Sequence, residues 1–227
     1  MCRVLLADDD PQVRAGLREI LESDPGLRVV AEADDGREAV ELSRRYRPQV
    51  ALLDIRMPVL DGLAAAEQIL RIAPDTAVVM VTTFGDDAYV DAAVSVGVAG
   101  FLLKSGDPHD LLAGTRAAAH GGSCLSPAVA RHVLADLRTA RTARSSRQAG
   151  AAAALTRRQR ELLVLLAHGR TNAEIAGELH LSEGTVKGYL RELFARLDVR
   201  NRVEAAVIAH HAGLTAAPVD PADRRRR

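Results

Sequence analysis

In the first half of the chain, short apolar runs alternate with longer stretches in which apolar residues recur every three or four positions. The short runs predict β-strands over 3–7, 27–33, 50–53, 77–82 and 100–103. The longer stretches predict helices over 11–23, 36–46, 63–73, 87–97 and 107–120. Five strand–helix units in succession favour an α/β fold, with a parallel sheet covered by helices on both faces.

From Leu155 onward the chain shows helical patterns without strands. Three predicted helices begin with a capping box, in which a cap residue is followed three positions later by Glu or Gln. Ser182 is predicted to cap a further helix, 182–197, and the last helix ends near Gly213. This pattern predicts a small all-α domain. The capping boxes pair Thr156 with Gln159, Thr171 with Glu174 and Asn201 with Glu204.

Composition divides the chain into four parts. We expect a first domain over 1–121 and a second over 155–214. Residues 122–154 are rich in Ala, Arg and Ser and form a predicted linker that is partly helical, over 127–137. The tail 215–227 has no apolar periodicity, so we expect it to be disordered.

The net charge of zero conceals an asymmetry between the two halves. Residues 1–120 hold 12 basic and 20 acidic side chains, a net charge of −8, whereas residues 121–227 hold 18 and 10, a net charge of +8. A basic half suggests a polyanionic partner. Solubility of the linker and tail would explain the same arginines equally well, so charge alone leaves both interpretations open.

Other features of the sequence narrow the class of protein. The N-terminal apolar run is stopped by Asp8, too early for a signal peptide or a membrane span. Cys2 and Cys124 lie far apart, so we expect reduced thiols in a cytoplasmic protein without membrane association. No glycine-rich nucleotide loop is present, and the seven histidines lack metal-site spacing. A phosphoryl group would therefore come from a partner.

Polar residues at the ends of the predicted strands form a candidate site. Ligands of parallel sheets bind at the carboxyl ends of the strands. Converging carboxylates there suit Mg²⁺, and a carboxylate beside that ion can accept a phosphoryl group. Asp54 is the candidate acceptor because it ends the central strand, while a lysine and a hydroxyl would bind the transferred group. The strand-end residues are Asp8, Asp9, Asp54, Thr82 and Lys104.

Each of these residues alone has an ordinary explanation as a helix cap or a solvated side chain. Their joint occurrence at the ends of the strands is harder to explain in that way. Asp10 falls outside the candidate site. Because it directly precedes Pro11, a residue favoured at the first helical position, Asp10 is predicted to cap the first helix.

Residues 1–121 resemble the receiver domain of two-component response regulators through the motifs "VLLADD", "LLDIRMPVLDG", "VVMVTT" and "GFLLKS". The resemblance implies a flavodoxin-like five-stranded parallel sheet and phosphorylation of Asp54 by a sensor histidine kinase. It also implies Mg²⁺ as cofactor, bound directly by Asp9, usually through water by Asp8, and by the backbone carbonyl of Arg56.

The same resemblance implies a switch. Thr82 supplies its hydroxyl, Phe101 its aromatic ring, and Lys104 contacts the phosphoryl group. That group would attract Thr82 and bring Phe101 inward, which changes the surface near the fourth and fifth predicted helices and the fifth strand. Ser105 follows the lysine where many members have Asp or Pro, a variation that we interpret as tolerated.

Two predicted helices, 172–180 and 182–197, are joined by a turn short enough for a helix-turn-helix. In the second helix, Lys187 and Arg191 lie four positions apart and could reach a DNA groove together. Alone, such a pair is more simply explained as a solvated face. An apolar seam at another face would point to the core, and it comprises Val186, Leu190, Leu193 and Leu197.

The motifs "LTRRQRE", "TNAEIAGEL", "LSEGTVK" and "LDVRNRVEA" resemble the LuxR-type four-helix DNA-binding domain. The whole chain is therefore similar to response regulators of the NarL/FixJ type, which implies binding to double-stranded DNA as a homodimer. Lys187, Gly188 and Arg191 match positions that enter the major groove, and Thr185 lies near phosphate. Gly188 replaces a side chain that often touches bases.

The last predicted helix, about 202–212, commonly forms the dimer contact in this family. Its candidate face could equally pack the domain itself. That face comprises Val203, Ala206, Val207 and His210.

Two other functions are compatible with parts of the sequence. Residues 8–10 contain the DxD of haloacid-dehalogenase-like phosphatases, which would carry an intermediate on Asp8, but Gln12 occupies the fifth motif position. A DNA-binding regulator could also respond to a ligand or a protein partner without phosphorylation. The preferred hypothesis is a transcriptional response regulator, not an enzyme, that is switched by phosphate on Asp54.

Overall fold

The computed structural model describes residues 1–83, 96–125 and 154–214, which belong to two compact units that we treat separately. Most of the predicted helix 87–97 lies outside the described residues, as do the predicted linker helix 127–137 and the tail 215–227. Within the described part of the chain, no helix is long and apolar enough to cross a membrane.

The first unit is built on a parallel sheet whose strands follow the order β2-β1-β3-β4-β5-β6. All five predicted strands are present, and their parallel arrangement is confirmed. β3 is buried along its whole length, as expected for a strand covered by helices on both faces. The strands are β1 (Cys2–Ala7), β2 (Leu27–Ala33), β3 (Val50–Asp54), β4 (Ala77–Thr82), β5 (Gly100–Leu103) and β6 (Cys124–Leu125).

The short strand β6 was not predicted. It has only two residues and pairs with β5, Gly100 opposite Cys124 and Phe101 opposite Leu125. A Cβ atom at position 100 would lie 2.2 Å from the Cys124 carbonyl oxygen and 2.3 Å from its Sγ. Glycine at that position therefore permits the close approach of β6, and the sheet continues past the Gly121-Gly122 pair.

Four helices of this unit are described, and each begins after an aspartate that caps it. The cap side chains accept hydrogen bonds from backbone N–H groups of the first turn, which otherwise have no partner within the helix. The helices are α1 (Pro11–Glu22), α2 (Gly36–Tyr46), α3 (Gly62–Ile72) and α4 (Pro108–Ala119), with caps Asp10, Asp35, Asp61 and Asp107.

The second unit consists of helices around an aliphatic core. Leu162, Leu163, Ile175 and Leu193 are among its most deeply buried side chains. The predicted seam on the third of these helices is buried in the same core, which confirms the helical phase derived from the sequence. The helices are α5 (Arg157–Ala167), α6 (Asn172–Leu179), α7 (Glu183–Leu197) and α8 (Arg202–His211).

Caps define where these helices begin. The capping box of Thr156 with Gln159 is present in both directions, and the Ser182 side chain accepts from the Thr185 N–H. Asn201 caps α8, but the Glu204 carboxylate accepts a hydrogen bond from the Arg200 N–H, at 3.0 Å. The turn before α7 includes His180, whose φ of 55° reverses the chain between α6 and α7.

Candidate functional site

The predicted strand-end carboxylates converge at the carboxyl edge of the sheet. Asp8 and Asp9 follow β1, and Asp54 ends the neighbouring strand β3. One oxygen from each of the three carboxylates lies within 4.8 Å of the others. Asp8 and Asp54 are buried, at 1% and 8% exposure, whereas Asp9 is exposed. The site is therefore open on the side of Asp9.

Lys104 bridges the two buried carboxylates. Its Nζ lies 2.7 Å from Asp8 Oδ2 and 3.0 Å from Asp54 Oδ2. Its backbone N–H donates to the Thr82 carbonyl at 2.8 Å, so the residue is fixed to β4 directly after β5 ends. The ammonium group thus lies at the same edge as the carboxylates, in the position that the sequence predicted.

Burial and the neighbouring charges shift the pKa values of Asp54 and Lys104. Burial raises the pKa of Asp54, and the charge of Asp8 adds to the increase, although Lys104 opposes it. For Lys104, burial alone would lower the pKa, but hydrogen bonds to Asp8 and Asp54 outweigh burial and raise it. With one ammonium among three carboxylates, the site would accommodate further positive charge.

The donor set fits a hard divalent cation. Carboxylate oxygens are the ligands that Mg²⁺ prefers, and the exposed side of Asp9 leaves room for retained waters. Arg56, whose backbone carbonyl is a predicted ligand, is an exposed residue two positions after Asp54. Asp8, Asp9 and Asp54 are thus the side chains that would hold the ion.

The loop after Asp54 is fixed by backbone contacts. The Ile55 N–H donates to Asp54 Oδ1 at 2.7 Å, and the Gly62 N–H donates to the Ile55 carbonyl at 2.9 Å. A Cβ atom at position 62 would lie 1.9 Å from the Asp54 carbonyl oxygen. Glycine therefore allows α3 to start directly against Asp54. This role of the glycine in the "LDG" motif becomes clear only from the fold.

The two predicted switch residues lie on adjacent strands. Thr82 ends β4, is 7% exposed, and comes one position after Val81, the register partner of Asp54. Phe101 lies in β5 opposite Met80 and is 1% exposed. Thr82 is therefore at the site edge of the sheet, while Phe101 lies within the unit, three residues before Lys104.

Asp10 separates from its two neighbours as predicted. Its Oδ1 accepts from the N–H groups of Gln12 and Val13, at 2.8 and 3.3 Å, and so caps α1. Its own backbone N–H donates to Asp8 Oδ1 at 3.1 Å. The capping prediction is confirmed, and the capped turn also orients the Asp8 carboxylate.

A face of α7 other than the apolar seam carries the predicted DNA contacts. Lys187 and Arg191 are exposed, and Tyr189 between them is 40% exposed. A Cβ atom at Gly188 would meet nothing within 4 Å, so packing does not require glycine there. The Thr185 hydroxyl lies 2.8 Å from the Ser182 hydroxyl at the start of the helix. The helix thus presents two cations and an aromatic ring to its surroundings.

On α8, the predicted dimer face adjoins the core face, and Ala206 of the predicted face packs against the core of the unit. Val203, Ala206 and Val207 are partly buried, and His210 is exposed. The intervening residues Ala205, Ile208 and Ala209 are buried in the core of the unit.

Family comparisons agree with both halves of the molecule. A model of the response regulator receiver domain matches residues 4–116, and a model of bacterial regulatory proteins of the luxR family matches residues 153–209. The chain is 39% identical to the transcriptional regulatory protein LiaR of Bacillus subtilis, over 92% of this chain and 97% of that protein. This chain belongs to the response regulators that join a receiver domain to a LuxR-type DNA-binding domain.

Further relatives and solved structures are consistent with this family. The nitrate/nitrite response regulator NarP of Escherichia coli is 36% identical, with 91% of this chain and 93% of that protein covered. The structure of response regulator ChrA, of a heme-sensing two-component system, is 35% identical and covers 94% of this chain and 98% of its own, with a TM-score of 0.51. A LuxR-family response regulator from Aurantimonas sp. SI85-9A1 matches 60% of this chain and 97% of its own at 31% identity and a TM-score of 0.56.

Membership in this family confirms the flavodoxin-like receiver, the helix-turn-helix domain and the assignment as a transcriptional response regulator. The response regulator's relatives are transcriptional regulators, so the comparisons favour neither a dehalogenase-like phosphatase nor another enzyme class. The acidic site of the response regulator is placed where receiver domains generally bind Mg²⁺.

Proposed function

We propose that this response regulator accepts a phosphoryl group on Asp54 from a sensor histidine kinase in the cytoplasm, and that phosphorylation controls its binding to DNA. The observation that carries the proposal is the convergence of three carboxylates within 4.8 Å, with Lys104 bridging Asp8 and Asp54. The chain acts in this scheme as a phosphoryl acceptor and a DNA-binding protein, not as an enzyme.

The transfer itself uses Asp54 as nucleophile. One of its carboxylate oxygens forms the new O–P bond while the P–N bond to the kinase histidine breaks and the imidazole nitrogen recovers its electron pair. Lys104, already 3.0 Å from Asp54 Oδ2, is placed to pair with the oxygens of the transferred group. Thr82 ends the adjacent strand, and its hydroxyl can donate to the same oxygens.

Asp8 and Asp9, together with Asp54 and the carbonyl of Arg56, would hold the magnesium ion. When bound, Mg²⁺ supplies neutralisation of the crowded carboxylates and Lewis-acid polarisation of the phosphoryl oxygens. Asp8 is oriented for this role by the Asp10 N–H, and Asp9 lies on the exposed side from which the donor arrives.

The output surface is α7. Lys187 and Arg191 extend from its exposed face and would contact the major groove, with Gly188 close to the bases and Thr185 near a phosphate. Residues 155–214 carry nine basic and seven acidic side chains, a net charge of only +2. A weak net charge gives little non-specific affinity, which supports binding to paired half-sites as a homodimer through the α8 face.

The test is intact-mass measurement after incubation with a small acyl phosphate and Mg²⁺. Wild type should gain the mass of one phosphoryl group, and Asp54→Asn should gain none, because the amide cannot act as the nucleophile. Chelation of Mg²⁺ should suppress the gain in wild type. Equal phosphorylation of both proteins would show that the acceptor is another residue.

A further inference from the structure

Val59 has an unusual backbone conformation in the loop between β3 and α3. Its φ is 64°, in the left-handed region that β-branched side chains rarely enter because the side chain crowds the backbone. In the described part of the chain three other non-glycine residues share a positive φ, and none of them is β-branched. They are Arg47, His180 and Asp198.

A tight turn imposes this conformation. The Leu60 N–H donates to the Pro58 carbonyl at 2.6 Å, and this hydrogen bond spans two residues with Val59 at the centre. With a positive φ at its centre, the turn is the rare and strained form of the γ-turn. The Leu60 carbonyl then accepts from the Gly36 N–H at 3.1 Å. A Cβ atom at position 36 would lie 2.2 Å from that carbonyl oxygen.

The Val59 side chain makes little stabilising contact within the folded unit. Val59 is 70% exposed, so its methyl groups bury little apolar surface in return for the strain. Glycine or asparagine would adopt the same backbone at lower cost. The surrounding contacts enforce this strain, yet Val59 contributes little to packing. This combination points to a role in contacts with another molecule.

The position of the turn indicates which partner it meets. Val59 follows Asp54 by five residues, in the loop that starts at the site edge of the sheet, and the neighbouring Pro58 is also exposed. A protein that delivers a phosphoryl group to Asp54 must cover this edge. Because hydrogen bonds fix the backbone of the turn, it presents an apolar side chain with little further loss of backbone conformational entropy on binding.

We infer that Val59 is an apolar anchor for the phosphohistidine-bearing surface of the donor protein, and determines how fast that protein, but not a small phosphodonor, phosphorylates Asp54. This inference rests on the proposed function. It concerns recognition and leaves the chemistry at Asp54 to the residues of the site.

The test compares two donors on the same variants. Val59→Gly and Val59→Asn remove the apolar side chain and suit a positive φ; Val59→Ile keeps a branched apolar side chain. The sensor histidine kinases of the source organism are purified and autophosphorylated. The one that phosphorylates wild type fastest serves as the protein donor. Tyr46→Ala is the matched control, since it removes an exposed apolar side chain at the end of α2, on the edge where the strands begin.

We expect Val59→Gly and Val59→Asn to lose at least tenfold in the transfer rate from the kinase, while their rates with a small acyl phosphate stay within twofold of wild type. Val59→Ile and Tyr46→Ala should retain both rates. Wild-type transfer rates from the kinase in the glycine and asparagine variants would overturn the inference, as would equal losses with both donors. If no kinase phosphorylates wild type, the proposed function fails with it.

Discussion

At the scale of single residues, three adjacent aspartates take different positions. Asp8 is buried against Lys104, Asp9 is exposed at the mouth of the site, and Asp10 caps α1. Repulsion among the three is lessened because Asp10 turns its carboxylate to the helix N-terminus, where backbone N–H groups and the helix dipole stabilise negative charge. Substitutions of these three aspartates should therefore have different effects on phosphorylation and stability.

We predict that Asp9→Ala abolishes Mg²⁺-dependent phosphorylation by a small acyl phosphate. Asp10→Ala should instead lower the free energy of unfolding by about 1 kcal/mol through loss of the cap, and leave phosphorylation nearly intact. Intact mass and urea unfolding measure the two effects. Loss of phosphorylation in Asp10→Ala with no loss in Asp9→Ala would show that these roles are reversed.

Which residues could be predicted from the sequence depended on how local their interactions are. The Asp10 cap follows from an Asp-Pro step at a helix start and needs no tertiary information. The contact of Lys104 with Asp8 joins residues almost one hundred positions apart, and only the parallel order of the strands brings them together. The strained turn at Val59 is closed by the Leu60 N–H and the Pro58 carbonyl, and Leu60 also accepts from Gly36, which is distant in the sequence, so the local sequence alone does not indicate the turn.

At the scale of elements, an ion pair joins the end of α1 to α4. Asp24 accepts a hydrogen bond from the Gly26 N–H at 2.9 Å, and its other oxygen contacts the Arg116 guanidinium. The Gly26 hydrogen bond is the main cause that lowers the pKa of Asp24 below its ordinary value of 3.8, and Arg116 contributes further. The ionised form of Asp24 therefore stabilises the folded unit.

We predict a pH-dependent difference between wild type and Asp24→Asn. Because the folded pKa of Asp24 is lowered, its stabilisation is complete above about pH 4 and is lost as the pH falls through the folded pKa. The midpoint of urea unfolding, followed by circular dichroism, should be higher in wild type at pH 7, and the difference should shrink towards pH 2. A difference independent of pH would contradict this role of Asp24. Glu22→Gln, which neutralises an exposed carboxylate, serves as the control.

A separate prediction concerns the exposed cations of α7. Lys187→Ala and Arg191→Ala should each weaken binding to a specific duplex by about 1–3 kcal/mol if the lost contact was to a base edge. Arg45→Ala, which removes an exposed cation from the first unit, should leave the affinity nearly unchanged. The affinities can be measured by fluorescence anisotropy with a duplex selected by the wild-type protein from a random pool. Unchanged binding in both α7 variants would remove that helix from the groove.

Elements with strong periodicity were predictable, and elements that depend on pairing were not. The apolar runs of β3 to β5 and the seam of α7 fix their own type and phase. β6 has two residues and exists because Gly100 lets it approach β5, so no local pattern distinguishes it from a loop. The helices begin directly after all three predicted cap residues, Thr156, Thr171 and Asn201, although Glu204 bonds to the Arg200 N–H.

At the scale of the whole molecule, an acidic receiver half is joined to a basic DNA-binding half, with net charges of −8 and +8. The family comparisons show that both halves are of known type, and the relatives cover nearly the whole chain. The sequence predicted each domain because its motifs are local. In the proposed function, coupling between phosphate on Asp54 and DNA binding by α7 would depend on an equilibrium between conformations, which residue patterns do not specify.

The central claim is that phosphate on Asp54 controls DNA binding. The most direct measurement is the affinity of the full chain for its selected duplex before and after treatment with an acyl phosphate and Mg²⁺, in wild type and in Asp54→Asn. We predict at least a tenfold change for wild type and none for Asp54→Asn. Equal affinity of wild-type protein before and after confirmed phosphorylation would contradict the claim and favour a regulator controlled by a ligand or a protein partner.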